Sequence, residues 1–545
     1  MGIHNSISES ETQKIQCLIE QEQLATYIDC AESNARALSL ANSGRSEVQR
    51  SWFHSMLAAY PLDQSTGLQF MRLAEAYLRT PDARSQMDLI EDRFGEIAPE
   101  RPVQGINHWL VHIAFLGLWT FHLVYRLRAY SLVRHTFQSV IRKICRFGLK
   151  VMGREFVMAQ TIDEAVKNSQ KISGDLPRYS FDMLGEGAVT EGDAERYFDQ
   201  YLQALNALAS QGDSIAKKDG ISVKLSALHP SYDIWHWESS APILLQRMKT
   251  LCLVAKEKQI GLNIDAEEYA RLHLGLEIVK ALRTDPDLND WNGLGIVIQA
   301  YHCRAYDVLL ELIEFLDRHQ QKLMIRLVKG AYWDTEIKHA QELGLGEFPV
   351  YTRKAHTDIS YLACARRMLA RVDIIYPQFA THNAKSIADI WEMATRFRRS
   401  ADQFEFQRLF GMGAALHDAI QSDGAQSRVY APVGSHQDLL AYLVRRLLEN
   451  AANTSFISQL ANPKLAMTDL VKSPLEVIKD NPVVSRPQTG AELFLPRMNS
   501  QGFAIDEPTV IMRLHQDSRA YQFSFTGHDV PVFEPATGHL IGHYD

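Results

Sequence analysis

Cysteine is scarce in this chain: six in 545 residues (Cys17, Cys30, Cys145, Cys252, Cys303 and Cys364), with no C-x-x-C pair among them. That spacing excludes a disulfide scaffold, a zinc site and a redox dithiol, and it reads as reduced thiols in a cytosolic setting. A surplus of positive charge is missing too. The 57 Lys and Arg stand against 65 Asp and Glu, a formal charge of -8, so the overall balance gives no reason to expect a nucleic acid as partner. No apolar signal-peptide core opens the chain, since MGIHNSISESETQK is polar and acidic. Met1-Gly2 with Ser6 fits the N-myristoylation pattern, a motif short enough to match often by chance. Nucleotide-binding signatures are absent as well. Gly185 and Gly187 are followed by Thr190, Gly293 and Gly295 by Ile298, and Gly411 and Gly413 by Leu416, so each near-match to G-x-G-x-x-G lacks its third glycine. There is no G-x-x-x-x-G-K-[ST], no HExxH and no metal cluster.

What is present is an ordinary globular composition, 46% hydrophobic and 22% charged, in a chain long enough for one large barrel with accessories. Residues 1–100 read as a polar helical arm, with turn signals at Tyr60-Pro61 and Pro81-Asp82. Residues 101–175 change character. Trp109 to Tyr125 is a stretch without formal charge, and no Asp or Glu occurs between Glu100 and Glu155, while Arg126, Arg128, Arg134, Arg142, Lys143, Arg146 and Lys150 accumulate. A helix of that apolar length spans about 25 Å, short of a hydrocarbon core of about 30 Å. Two readings stand: a buried helix followed by a solvated basic one, or docking of 109–150 on an anionic membrane surface.

From residue 176 to 465 one pattern repeats, a short apolar run, a polar residue at its end, then a helical stretch. The expected strands are Tyr179–Leu184, Ile221–Leu225, Leu262–Ile264, Gly295–Ile298, Met324–Val328, Phe379–Ala380, Phe404–Gln407 and Val429–Ala431. Eight strands alternating with helices predict an α/β fold, a distorted (β/α)8 TIM-like barrel behind an N-terminal all-helical arm. In such a barrel the carboxyl ends of the strands converge on one mouth. Here they carry Lys224, Asp265, Gln299, Arg326, Lys329 and His382. Burying so many ionisable groups together is costly without a ligand, and the set suits an anionic or carbonyl-rich cofactor. After the eighth strand, Tyr442, Arg445, Arg446 and Glu449 fall at i, i+3, i+4 and i+7, one helical face. Two adjacent guanidinium groups there can fork onto one carboxylate, with Tyr430 and Tyr442 as aromatic walls.

The runs GISVKLSALHP, GLNIDAEE, GLGIVIQAY, IRLVKGAYWDTEIKHAQ, FPVYTRKAHTDISYLACA, FATHNA, FEFQRLFGMG and RVYAPVGSHQDLLAYLVRRLLENAANTSF resemble the proline dehydrogenase domain of the bacterial proline utilization A flavoenzymes. The resemblance covers about residues 150 to 460 and is weaker upstream, through GLQFMRLAEAYLRTPD, and downstream. It implies non-covalent FAD and oxidation of L-proline to pyrroline-5-carboxylate, by hydride transfer to flavin N5, with electrons passed to a membrane quinone. Carried over, the FAD contacts are Gln299, Arg326, Val328, Lys329, Gly330, Thr352, Arg353, Lys354, Thr381, His382 and Asn383. The implied substrate set is Lys224, Ala331, Tyr332, Leu409, Tyr430, Tyr442, Arg445, Arg446 and Glu449, and the implied catalytic set is Lys224, Asp265, Arg326, Arg445 and Arg446, with no metal.

This chain departs from the family at His302-Cys303, where Gln-Lys is common, at Phe410, where His is common, and at Gly187. Its acid-free stretch over 101–154 is also unlike the family's arm. LPRMNSQGFAIDEPTVIMRL and PVFEPATGHLIGHYD, within an expected linker over 466–545, resemble only the entrance to the family's aldehyde dehydrogenase half. The second oxidation is therefore expected of a separate pyrroline-5-carboxylate dehydrogenase, and no ribbon-helix-helix opening points to nucleic acid. The expected location is cytoplasmic, with peripheral contact at the inner face of the cell membrane as an open addition. Two alternatives stay open: a non-catalytic flavin- or proline-binding paralogue that partners a full-length enzyme, and a preference for hydroxyproline.

Overall fold

The computed structural model describes residues 11–28, 30–48, 80, 82–94, 119, 156–171, 178–208, 214–434, 442, 456–461, 465–481, 486–497, 499–521 and 530–544. Its centre is a closed barrel of eight parallel strands: β1 (Arg178–Met183), β2 (Gly220–Val223), β3 (Leu262–Ile264), β4 (Leu294–Gln299), β5 (Leu323–Val328), β6 (Ile375–Ala380), β7 (Glu405–Leu409) and β8 (Ser427–Val433). Each strand pairs with the next, and β8 returns to β1 over the register Arg178↔Arg428 to Met183↔Val433. All eight expected strands are found. β6 starts at Ile375 rather than Phe379 because Pro377 and Gln378 interrupt its apolar run. Gln378 belongs to the barrel interior, where its Oε1 accepts from Asn263 Nδ2 at 2.8 Å.

Parallel strands covered on their outer face need apolar residues there, and the helices supply the matching stripe. Among the described residues the helices are α1 (Glu11–Gln21), α2 (Ala25–Ile28), α3 (Ala31–Val48), α4 (Ala83–Phe94), α5 (Ile162–Lys171), α6 (Glu191–Ala207), α7 (Trp237–Glu257), α8 (Leu272–Arg283), α9 (Ala305–His319), α10 (Trp333–Glu342), α11 (Lys354–Ala370), α12 (Ala384–Arg396), α13 (Ala414–Ser422), α14 (Phe456–Ala461), α15 (Met467–Leu470), α16 (Pro474–Asp480) and α17 (Pro508–Ala520). α9 shows the rule: Ala305, Val308, Leu309, Leu312, Ile313 and Leu316 are buried at helical spacing, and Gln320 ends the helix in a left-handed conformation. α6 starts on a capping box in which Thr190 and Asp193 satisfy each other's backbone N–H. Each fully buried Leu or Phe of this layer contributes about 1.5–3 kcal/mol.

The interior departs from the usual filling of branched aliphatics. At the amino-terminal end Arg428 grips Glu405 at 2.7 and 3.0 Å, and its other N–H groups donate to the carbonyls of Tyr179, Lys218 and Ala216. Both side chains are buried, so this pair closes the lower end of the barrel.

The described part of the arm, α1 to α3, is laid over the barrel's outer helices. α1 runs along α11, with Glu11 at the start of α11 and buried Glu22 paired to Arg366 and Arg367 near its end. α3 packs on α12 and α13, where Ser33 donates to buried Asp389 at 2.5 Å. After the barrel, α16 packs on α11, and the described residues of 486–507 meet α10 through Gln341 to the Gln488 carbonyl and His339 to Asp506, and α8 through His273 to Glu507. β9 (Val530–Phe533) and β10 (Leu540–Tyr544) form an exposed antiparallel pair. The expected membrane-facing segment 109–150 lies outside the described residues save Trp119; no described helix is long and apolar enough to cross a membrane.

Candidate active site

The interior alternation of three consecutive strands makes the centre of the site. Ser180 and Asp182 on β1, Ser222 on β2 with Lys224 just past it, and Asn263 on β3 with Asp265 past its end all occupy the inward register, which is why a run that looks apolar delivers polar groups to one place. Lys224 Nζ donates to Asp182 Oδ1 at 2.5 Å and lies 3.7 Å from Asp265 Oδ2. From β5, Arg326 donates to Asp265 Oδ1 at 2.8 Å and to the hydroxyls of Ser222 and Ser180 at 3.0 Å each. From β8, the Tyr430 hydroxyl donates to Asp265 Oδ2 at 2.6 Å, and its ring centroid lies 5.2 Å from the Arg326 guanidinium carbon.

Charge states follow from this packing. Burial opposes the Lys224 ammonium, but Asp182 and, more weakly, Asp265 outweigh it and hold its pKa well above the ordinary value. Burial, then the charges of Asp182 and Asp265, pushes the Tyr430 phenol up, so it stays protonated and a donor. Both oxygens of Asp265 are engaged, so it orients cations and holds Tyr430 in place. The product is a fixed, preorganised floor of paired charges at the mouth.

Around the floor the remaining candidates sort by loop. Gln299, at the end of β4, donates to the Glu267 carbonyl at 2.8 Å and accepts from Ala331 N at 3.3 Å, tying the loops after β3, β4 and β5 together. Val328 ends β5 and Lys329 and Gly330 follow it, with Gly330 exposed and Tyr332 directly before α10. Gly330 has φ +140°, and a Cβ there would meet the Tyr301 ring at 2.4 Å, so this close approach requires glycine. Lys329 and Lys354 both pair with Asp358, which burial would raise but which they hold down at about 2. Thr352 and Arg353 form the turn into α11. After β6, Thr381 Oγ1 accepts from Asn383 N at 3.1 Å, Asn383 caps α12, and His382 Nε2 accepts from Leu409 N at 3.0 Å. Tyr442 is buried. Arg445, Arg446 and Glu449 lie outside the described residues.

Several contributors were not singled out from the sequence: Asp182, Ser180, Ser222, Asp358, Glu267 and Glu11. The signal for the first three was polar residues two apart on adjacent strands. Of the departures, His302 is buried, stacks on Tyr301 and is pushed down to about 3 by burial, which leaves it neutral.

Comparison with known proteins gives two family matches: "Proline dehydrogenase" over residues 165–459, and "DNA-binding domain of Proline dehydrogenase" over residues 52–156. The second crosses the expected boundary at residue 100 and lies almost wholly outside the described residues. The bifunctional protein PutA of Salmonella typhimurium is 40% identical over 499 residues, which cover 86% of this chain and 37% of that protein. Proline dehydrogenase 1 of Bacillus subtilis is 27% identical over 332 residues, 60% of this chain and 98% of that one. A crystal structure of a bifunctional proline utilization A protein superposes with TM-score 0.74 at 37% identity, covering 96% of this chain and 54% of the other. A Bradyrhizobium japonicum proline utilization A variant gives 0.73 at 38%, with 95% and 53% covered. The chain thus spans about half the length of these solved relatives and less of the curated bifunctional ones. Because the first match takes in every barrel strand and the charged network at its mouth, the chain belongs to the proline dehydrogenase family.

Proposed function

We propose that this chain oxidises L-proline to pyrroline-5-carboxylate, with FAD bound at the barrel mouth and a membrane quinone as the final electron acceptor. The carrying observation is the Asp182–Lys224–Asp265–Arg326–Tyr430 network, a buried charged floor placed where the family match runs. The residues fit a flavin: Arg326 Nε, within that network, is buried with no hydrogen-bond partner among the described residues. Arg326, Lys329, Lys354, Gln299 and the turn at Thr352–Arg353 are the donors that would hold its polar edge and phosphates. When bound, FAD supplies the acceptor for the hydride that leaves the ring carbon next to nitrogen.

The protein's own share is alignment. Tyr430, held by Asp265, presents a fixed ring surface above Arg326, against which a small apolar ring packs. Arg445 and Arg446 remain, from the resemblance, the proposed clamp on the substrate carboxylate, with Tyr442 and Glu449 on the same helical face. The same arrangement admits hydroxyproline only where bulk over the ring permits.

The test is anaerobic addition of L-proline to purified protein. Bleaching of the flavin's visible band, followed by its return on adding a quinone analogue, is the expected result; a flavin-loaded protein that does not bleach would leave the non-catalytic paralogue as the reading. Arg446→Met is expected to raise KM for proline at least about tenfold, a loss of about 1.4 kcal/mol of binding, with flavin content unchanged. Unaltered steady-state kinetics in that variant would remove the clamp.

A further inference from the structure

The turn into α11 carries three of the proposed flavin contacts, Thr352, Arg353 and Lys354, yet α11 has no side-chain cap of its own. A helix start leaves N–H groups without partners and concentrates partial positive charge, here reinforced by Arg353 and Lys354. The residue just before that start, Thr352, is held from the other end of the sequence. Glu11, at the first turn of α1, accepts from Thr352 N at 3.0 Å, from Thr352 Oγ1 at 2.7 Å and from His356 Nδ1 at 2.5 Å. His356 is buried, and the Glu11 side chain is only 23% exposed, so these bonds are shielded from solvent. The turn is fastened on a second side, where Arg353 donates to the Asn481 carbonyl just past α16.

We propose that Glu11 is a positioning residue for the flavin site: the arm's first helix completes the turn Tyr351–Lys354 and holds it in the form that receives the cofactor. The inference rests on the flavin reading above and adds to it the assignment of the amino-terminal helix as part of the site's construction. Glu11 touches neither substrate nor the reacting atoms. It fixes the backbone N–H and hydroxyl of Thr352, just before the helix start, and so removes ordering that the cofactor would have to impose on binding. A fixed turn binds more tightly than a mobile one by the ordering it no longer requires.

The test compares the full chain with Glu11→Ala, Glu11→Gln and, as a control on arm docking, Arg36→Met, which breaks the contact between α3 and Asp423 far from the turn. The readouts are FAD affinity of deflavinated protein, by quenching of flavin fluorescence, and hydrogen exchange of the peptide holding Thr352. E11A is expected to weaken FAD binding at least about tenfold and to speed exchange at Thr352, with E11Q between E11A and the parent chain, and R36M at the parent value. FAD affinity of E11A within about twofold of the parent would overturn the assignment. So would equal losses in E11A and R36M, because general docking of the arm would then account for the effect. A parent protein that does not quench flavin fluorescence fails differently, removing the flavin reading and this inference together.

Discussion

Lys224 and Asp182 illustrate how much one buried pair can be asked to hold. The ammonium is 7% exposed and the carboxylate 1%, so neither has water as a substitute partner. Removing one charge from such a pair leaves the other uncompensated, at a cost of about 3–5 kcal/mol, whereas removing both leaves little behind. Asp182→Asn is therefore expected to lower the unfolding free energy by an amount in that range, and the double variant with Lys224→Met to recover more than half of it in the same urea titration. A double variant no more stable than D182N would show that Lys224 finds sufficient compensation elsewhere.

Glu336 offers a second test through pH. Burial raises its carboxyl from 4.5 to about 7, against a hydrogen bond from Tyr269 N that pulls the other way. The folded protein thus holds this proton across an interval in which the unfolded chain has lost it. Stability from this group is fullest below the ordinary value, falls as pH rises towards 7, and is level above; the span is about 3 kcal/mol. Glu336→Gln keeps an acceptor for Tyr269 N and is expected to flatten that slope between pH 5 and 8. An unchanged slope would place Glu336 in ordinary solvent.

At the level of strands and loops, the barrel was legible because parallel strands covered by helices must be short apolar runs at helical intervals, and eight such runs are present. The Lys224, Asp265, Gln299 and Arg326 positions were legible by the same logic, as polar groups at run ends. Asp182 was not, because it sits inside YSFDML and only the inward register reveals it. Glu11 was further out of reach: its partners lie 341 and 345 residues away, and nothing local marks an exposed-looking glutamate as the partner of a distant turn. The loop after β5 carries its own prediction. Gly330→Ala must accommodate both φ +140° and a Cβ against Tyr301, so the loop has to move, with strain of about 1–3 kcal/mol. Purified G330A is expected to be folded and depleted of flavin; full flavin content would show that the loop has a second seat.

For the molecule as a whole, the match described as DNA-binding and the basic, acid-free stretch over 101–154 set two polyanions, a nucleic acid and an anionic lipid surface, against each other for one segment. We expect the basic stretch to favour anionic vesicles over a labelled DNA duplex. Co-sedimentation should fall as salt rises and fall again on charge reversal at Arg142 and Lys143. Salt-sensitive anisotropy with the duplex, and indifference to anionic lipid, would reverse that assignment.

The Arg428–Glu405 pair has a consequence for traffic. Among the described residues, a buried bidentate pair and three carbonyls fill the lower end, which leaves the carboxyl ends of the strands as the face for access. On the proposed activity, substrate and product share that face, so each excludes the other. A stable mimic of the product should accordingly compete with proline rather than bind alongside it.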